Sequence, residues 1–475
     1  MGTLAVALAF LGWKDSSISQ MRLISRRCYC AGSLNARLEH NARALFLMFR
    51  RGVRALLVPG LLAACASSAP TQQDGAARTQ MRLLEALAPI GAPLEDTLPL
   101  SIAAIKEGES QPNIIVTGRG RVPKDAADRP VRIASISKLT VAIVAMQMVE
   151  RGELSLAADV SDILGWQLRN PSFPDEAITV GQLLSHTSSL TDGTDYTAPL
   201  PQTLEQLMGD ARFYQAEHRP GGFFLYANIN YGVLGTVMEA AAGQRFDQLM
   251  QQRLFAPAGL DIGFNWHGVT LARQAQAIPA GRYEDAPLSP GEENTPSSQG
   301  IVIAIDGEPV GPSPSRAALQ GYVPGTNATV FSPQGGLRAS LKDLLVLGEI
   351  FTTGGQINGV QILAPSTVKT MTKAAWVLNE AEDNGDSYGG LMRSFGLGVH
   401  IYQPGNRCFE TNGARYLGHF GEAYGLIGGL LVDPKAKRTV AYLFPYTPTN
   451  AEDALSDCSG LYRWEERFFK EALAP

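Results

Sequence analysis

After Arg132-Ile133-Ala134-Ser135-Ile136-Ser137-Lys138 the chain reads Leu-Thr-Val-Ala-Ile-Val-Ala-Met-Gln-Met-Val, apolar on nearly every side. A helix without a polar face has to be enclosed by other layers, so the rest of the chain must wrap this segment. Glu150-Arg151-Gly152 supplies a glycine stop. Ser135 then falls at the first turn of a core helix, with Lys138 three residues on and on the same face. The N–H groups and partial positive charge of a helix N-terminus suit a developing oxyanion. A desolvated lysine beside a serine can lose its proton near neutral pH and act as a base. Alone, Ser-x-x-Lys is a weak motif, because a serine-capped helix with a solvated lysine spells it equally well.

The 475 residues could hold one large domain or two to three average ones. The net charge of −5 hides an asymmetry: residues 1–65 carry nine Lys/Arg and two Asp/Glu, leaving 31 basic against 43 acidic groups in the remainder. So acidic a body, without a basic stripe, argues against nucleic-acid binding. From Met48 the chain runs Met-Phe-Arg-Arg-Gly-Val-Arg, then a ten-residue apolar stretch, then Cys65. That is the layout of a secretory signal, too short to span a bilayer. Leu62-Ala63-Ala64-Cys65 also resembles a bacterial lipobox, so Cys65 is the expected lipidation site, and a periplasmic or cell-envelope location follows. Contact with a membrane is expected through that anchor only. Met48 is the expected start of translation, with 1–47 a mispredicted extension.

Cys28 and Cys30 lie in that extension; Cys408 and Cys458 remain, an even pair in an oxidising compartment, and are expected to form a disulfide. No metal-ligand spacing occurs, and no cofactor is expected.

Residues 66–95 read as a polar tether and lead-in, with a short amphipathic helix from Met81 to Leu87. Ser101-Ile-Ala-Ala-Ile and Asn113-Ile-Ile-Val-Thr-Gly are strand-like and joined by a turn. Period-two alternation is scarce between residues 140 and 260, which are mostly helical. Residues 285–326 form a long Pro/Gly/Ser loop with room for one hairpin. From Phe395 strands return, including Ala423 to Val432 and Arg438 to Phe444, and the chain closes on an amphipathic helix, Leu461 to Leu473. The expected architecture is α+β: one domain over 96–475, its sheet drawn from about 96–130 and 395–475, around a mostly helical part at about 140–390.

Two further motifs strengthen the serine signal: Tyr226-Ala227-Asn228, and His419-Phe420-Gly421 at the head of an apolar strand. With Ser135-Ile-Ser-Lys138 they resemble the serine β-lactamase and penicillin-binding-protein superfamily, most closely its class C β-lactamase, D-stereospecific peptidase and esterase branch. Leu183-Leu-Ser-His186-Thr-Ser-Ser-Leu, Pro257-Ala-Gly-Leu, Ser332-Pro-Gln-Gly-Gly336 and Phe395-Gly-Leu-Gly398 extend the likeness over roughly residues 96–475.

The resemblance implies a β-lactamase/transpeptidase-like fold, an antiparallel sheet flanked by helices, and a serine hydrolase working through an acyl-enzyme on Ser135. Lys138 and Tyr226 would form the base system. Either could take the proton, since a lysine beside a tyrosine favours the phenolate. Asn228 would bind the substrate's amide carbonyl and Lys138, His419 and Gly421 would line the substrate strand, and the N–H groups of Ser135 and Glu422 would form the oxyanion hole.

His-Phe-Gly departs from the Lys-Thr-Gly of class C β-lactamases: a mostly neutral histidine replaces a permanent cation. That favours a peptidase, amidase or esterase acting on a small-molecule or peptide substrate. The alternatives are a class C-type β-lactamase and a non-catalytic penicillin- or peptidoglycan-binding protein. An α/β-hydrolase, whose serine sits on a Gly-x-Ser-x-Gly elbow between strand and helix, is disfavoured. Glu422, where small residues are usual, could repel an anionic substrate or bind an amine.

Overall fold

A computed structural model of the chain describes residues 72–87, 100–118, 122–193, 195–279, 281–284, 301–304, 312–403, 413–448, 456 and 461–473. Residues 1–71, Cys65 among them, Cys408, Cys458 and the stretch 285–300 lie outside the described residues, and with them the signal, lipidation and disulfide expectations.

The main sheet has eight strands: β1 (Leu100–Glu107), β2 (Asn113–Gly118), β3 (Trp376–Val377), β4 (Ser394–Phe395), β5 (His400–Tyr402), β6 (Tyr416–Ala423), β7 (Leu426–Asp433) and β8 (Arg438–Phe444). Their order is β3-β4-β5-β6-β7-β8-β1-β2, every pair antiparallel. The N-terminal hairpin therefore joins the C-terminal strands edge to edge, and the helical middle of the chain packs on one face.

The strand pattern explains why both faces are covered. Along β1, Ile102 and Ala104 point into the larger core while Ala103 and Ile105 point into a second one. Along β8, Ala441 and Leu443 face the first and Val440, Tyr442 and Phe444 the second. A strand apolar on both sides must be sandwiched between layers.

The first face receives α2 (Ser137–Glu150), from Ser137 to Met148 wholly buried, and α4 (Leu341–Thr352), while α3 (Ile229–Ala242) packs on α2. The second face receives α5 (Arg463–Ala472), through Trp464, Phe468 and Phe469, and α1 (Gln72–Leu87), through Leu83 and Leu87. α2 ends as its sequence dictates, with Gly152 at φ 73°.

Two expectations need correction. The N-terminal helix begins at Gln72 rather than Met81, so it runs through residues read as tether; the docking of its Leu83 and Leu87 outweighs the low intrinsic preference of its first turns. His419-Phe420-Gly421 does not head the apolar strand that follows. It lies inside a strand of its own, β6, and a tight turn at Tyr424 (φ 55°) and Gly425 (φ 80°) separates it from β7. Two consecutive residues with positive φ make the hairpin turn that matches strand twist, and a tyrosine in the first of those places hides it from a sequence reader.

Within the described part of the 285–326 stretch Ile301–Ala304 is a strand, and it pairs antiparallel with Gly281–Glu284, which lies just before that stretch.

Phe468 anchors α5 to the sheet with no exposed surface and ring contacts to Tyr442 and Phe444. Replacing it with alanine is expected to cost about 3–5 kcal/mol, read as a lowered urea midpoint with an unchanged m value.

Candidate active site

Ser135 sits on a 3-10 turn, Ala134–Ile136, that runs directly into α2. Ala134 before it holds φ 48°, a conformation an L-residue keeps only when its surroundings impose it. Val131 and Arg132 pair with Leu337–Ala339, Ile133 N–H donates to the Leu337 carbonyl at 3.1 Å, and the Ser137 hydroxyl accepts from Leu337 N–H. The serine turn is thereby fixed from both sides.

Lys138 has no exposed surface, and its Nζ lies 2.9 Å from Ser135 Oγ, 2.8 Å from Asn228 Oδ1 and 2.8 Å from the carbonyl oxygen of Gln334. The Asn228 and Gln334 oxygens can only accept. Of the three partners, Ser135 alone carries a proton to give. Burial brings the Lys138 pKa down to about 7, with the Asp192 carboxylate pulling the other way.

The site is thus built from three stretches distant in sequence: Ser135–Lys138, Tyr226–Asn228 before α3, and Gln334 before a short strand. The ring of Tyr226 lies 4.9 Å from Lys138 Nζ. Tyr226 is half-buried, and desolvation pushes its phenol well above the ordinary value, an effect that Ser135 beside it offsets only in part. A phenolate favoured by the neighbouring lysine is therefore not what the structure supports: desolvation wins.

His186 stacks on Tyr226 at 4.3 Å and accepts the Ala227 N–H at Nδ1. It orients the tyrosine and does not touch Ser135.

His419 lies on β6 in register with Leu430, its ring 6.0 Å from Tyr226 and 4.1 Å from His400. It is fully buried, its Nδ1 is 2.5 Å from the Phe420 carbonyl, and desolvation with the nearby Lys138 charge lowers its pKa to about 3. It is a neutral imidazole and offers no cation to a substrate.

Gly421, two residues on, abuts the serine turn: a Cβ there would meet the Ile133 carbonyl oxygen at 2.6 Å. Only glycine lets the strand approach so closely. β5 pairs with β6 only from Tyr416 to Gly418, so the β5-side edge of β6 beyond Gly418 has no strand partner among the described residues.

The Glu422 side chain is a correction. Alternation along β6 turns it away from Gly421's face, and Glu422 Oε1 accepts from the Tyr462 hydroxyl at 2.6 Å, beside α5. Its carboxylate neither repels nor binds a substrate at Ser135. The chain also spells Gly385-Asp386-Ser387-Tyr388-Gly389, the lettering of a nucleophile elbow, but Ser387 caps a short 3-10 turn instead of joining a strand to a helix.

Asp192 was not singled out from the sequence. Its Oδ2 accepts from Asn228 Nδ2 at 2.8 Å and its Oδ1 from Ile229 N–H at 2.9 Å. The only signal was its place shortly after His186-Thr-Ser-Ser-Leu. Among the described residues no cluster of His, Cys, Asp and Glu is placed to hold a metal.

A family model described as Beta-lactamase matches residues 114–457. The chain belongs to the beta-lactamase family. Penicillin-binding protein 4 of Amycolatopsis lactamdurans is 32% identical over 155 residues, a match spanning 30% of this chain and 38% of that protein. Protein Rv1367c of Mycobacterium tuberculosis is 23% identical over 360 residues, covering 70% of this chain and 81% of that one.

Among solved structures, D-amino acid amidase from Ochrobactrum anthropi SV3, complexed with D-phenylalanine, superposes with a TM-score of 0.58 at 14% identity, over 84% of this chain and 98% of the amidase. EstCE1, a hydrolase with promiscuous acyltransferase activity, gives 0.55 at 20% identity, over 84% and 100%. These likenesses establish the β-lactamase/transpeptidase-like fold for this member of the family.

Burial holds His186, His400 and His419 neutral, each below its ordinary value. A depressed histidine means the unfolded chain binds the extra proton, so stability is full above about pH 6.5 and falls as pH drops toward the folded value. Glu239 and Glu465, raised to about 7, act in the opposite sense. The His419 contribution is therefore read as a difference: on going from pH 7 to pH 5, His419→Gln is expected to lose about 2 kcal/mol less stability than wild type in urea titrations.

Proposed function

We propose that this beta-lactamase-family protein is a serine hydrolase that cleaves an amide or ester bond through an acyl-enzyme on Ser135. The observation that carries the reading is the Lys138 amine, held between two obligate acceptors with its third side on Ser135 Oγ. A neutral lysine has two N–H donors and one lone pair. With the donors spent on Asn228 Oδ1 and the Gln334 carbonyl, the lone pair faces the serine proton.

The reaction follows. Ser135 Oγ attacks the carbonyl carbon, its proton passes to Lys138 Nζ, and the carbonyl π electrons move onto oxygen. The N–H groups of Ser135 and Glu422, at the serine turn and on the adjoining strand, receive that charge. When the C–X bond breaks, the leaving group takes a proton from the Tyr226 hydroxyl, and the neighbouring Lys138 ammonium, 4.9 Å from that ring, gives its proton to the phenolate so formed. Water then attacks the ester by the same route in reverse. With its phenol raised, Tyr226 serves as a proton donor rather than as the resting base.

Amide or ester chemistry, rather than efficient β-lactam hydrolysis, is supported by the neutral His419 in place of a cation. It also agrees with neighbours named as an amidase and as a hydrolase with promiscuous acyltransferase activity. Delivery to the cell envelope with a lipid on Cys65 rests on the signal and lipobox-like stretch alone.

The soluble form beginning after Cys65 is expected to react with a fluorophosphonate and to cleave a p-nitrophenyl ester while barely touching nitrocefin. Ser135→Ala should abolish labelling and Lys138→Ala should slow ester cleavage about 10²–10⁴-fold. Because the amine must be neutral, activity should rise with pH through about 7. Rapid nitrocefin turnover would favour a β-lactamase, and an unlabelled wild type would leave a binding protein.

A further inference from the structure

Asp192 precedes a turn at Gly193 (φ 60°) and faces the start of α3. Its two oxygens do different jobs. Oδ1 accepts the Ile229 N–H, one of the unpaired donors at a helix N-terminus. Oδ2 accepts from the side-chain amide of Asn228.

An asparagine amide can face either way, and which way decides what it offers its neighbour. A carboxylate accepts and cannot donate, so it captures the NH₂ end and turns the carbonyl end toward Lys138, where Oδ1 lies 2.8 Å from Nζ. Were the amide reversed, its NH₂ would point at Lys138 and claim the lone pair needed for the Ser135 proton.

We propose that Asp192 is a positioning residue of this site, which fixes the Asn228 amide so that Lys138 keeps its lone pair for Ser135. The inference rests on the hydrolase reading above and adds to it a residue separated from the serine by Asn228 and Lys138. The charge acts in the same direction as the hydrogen bond: Asp192 favours the ammonium that Lys138 becomes after taking the proton.

The other groups around Lys138 do not duplicate this role. Tyr226 and Tyr231 present ring faces at 4.9 and 5.7 Å, and His186, His400 and His419 repel its charge when protonated. Asp192 is the carboxylate that favours the charged lysine.

The substitution Asp192→Asn separates the alternatives. The new amide offers one acceptor oxygen where the carboxylate gives Ile229 N–H and Asn228 Nδ2 an oxygen each, and it carries no charge. Both changes disfavour the Lys138 ammonium, so the lysine pKa falls and the acid limb moves to lower pH.

The experiment is the rate of fluorophosphonate labelling of Ser135 from pH 5 to 9, in wild type, Asp192→Asn, Asp192→Ser and Asp192→Glu, with thermal melts of each. We expect a limb shifted down by about one pH unit and a plateau lowered roughly tenfold in the Asn and Ser variants. The Glu variant, which keeps the charge, should hold its limb within a few tenths of a unit of wild type. Serine still caps a helix, so it carries the comparison if the Asn variant does not fold.

A labelled wild type with unmoved limbs in the uncharged variants overturns this proposal alone, leaving Asp192 a helix cap. So does a limb that moves as far in Asp192→Glu. A wild type that labels at no pH overturns the hydrolase reading and this one with it.

Discussion

The structure around the serine depends on one desolvated amine. An ordinary lysine in water is protonated far above neutrality and is no base. Taking Lys138 wholly out of solvent disfavours its charge, while three oxygens keep it from being an uncompensated polar group. The burial is possible only because α2 has no polar face. Apolar residues on all sides of one helix, needed for packing, are what create the medium in which its first-turn lysine can change protonation state. Fold and chemistry here share a cause.

The second constraint is proximity. For the oxyanion site proposed here, the strand carrying His419 and Gly421 must pass close to the serine turn. Gly421 grants that approach, while Leu337, bonded to Ile133 and Ser137, holds the turn from the other side. Ala134 in a left-handed conformation is the local cost of presenting Ser135 between them.

Much of this was legible in the sequence because it rests on short-range patterns. The all-apolar run after Lys138 implied an enclosed helix; short apolar runs bounded by turn residues around 101–118 and 426–444 implied strands; the likeness of the motifs holding Ser135, Lys138, Tyr226, Asn228 and His419 to those of a known family implied one site. What sequence did not give depended on placement across space. Whether Glu422 faces the serine or the back of the sheet is settled by the phase of β6, which the Tyr424–Gly425 turn conceals. Whether lysine or tyrosine is the more easily deprotonated depends on how deeply each is buried, and neighbouring charge alone suggested the opposite for Tyr226. Asp192 has no motif at all, only a geometry.

The outward turn of Glu422 has a reach of its own. Its carboxylate is tied to Tyr462, the residue that caps α5, and Phe420 on the same side of the strand packs on Phe469. The strand that lines the serine is thus braced from behind by the last helix of the chain. The packing of this helix therefore reaches, through the back of the sheet, the strand whose other face abuts the serine turn.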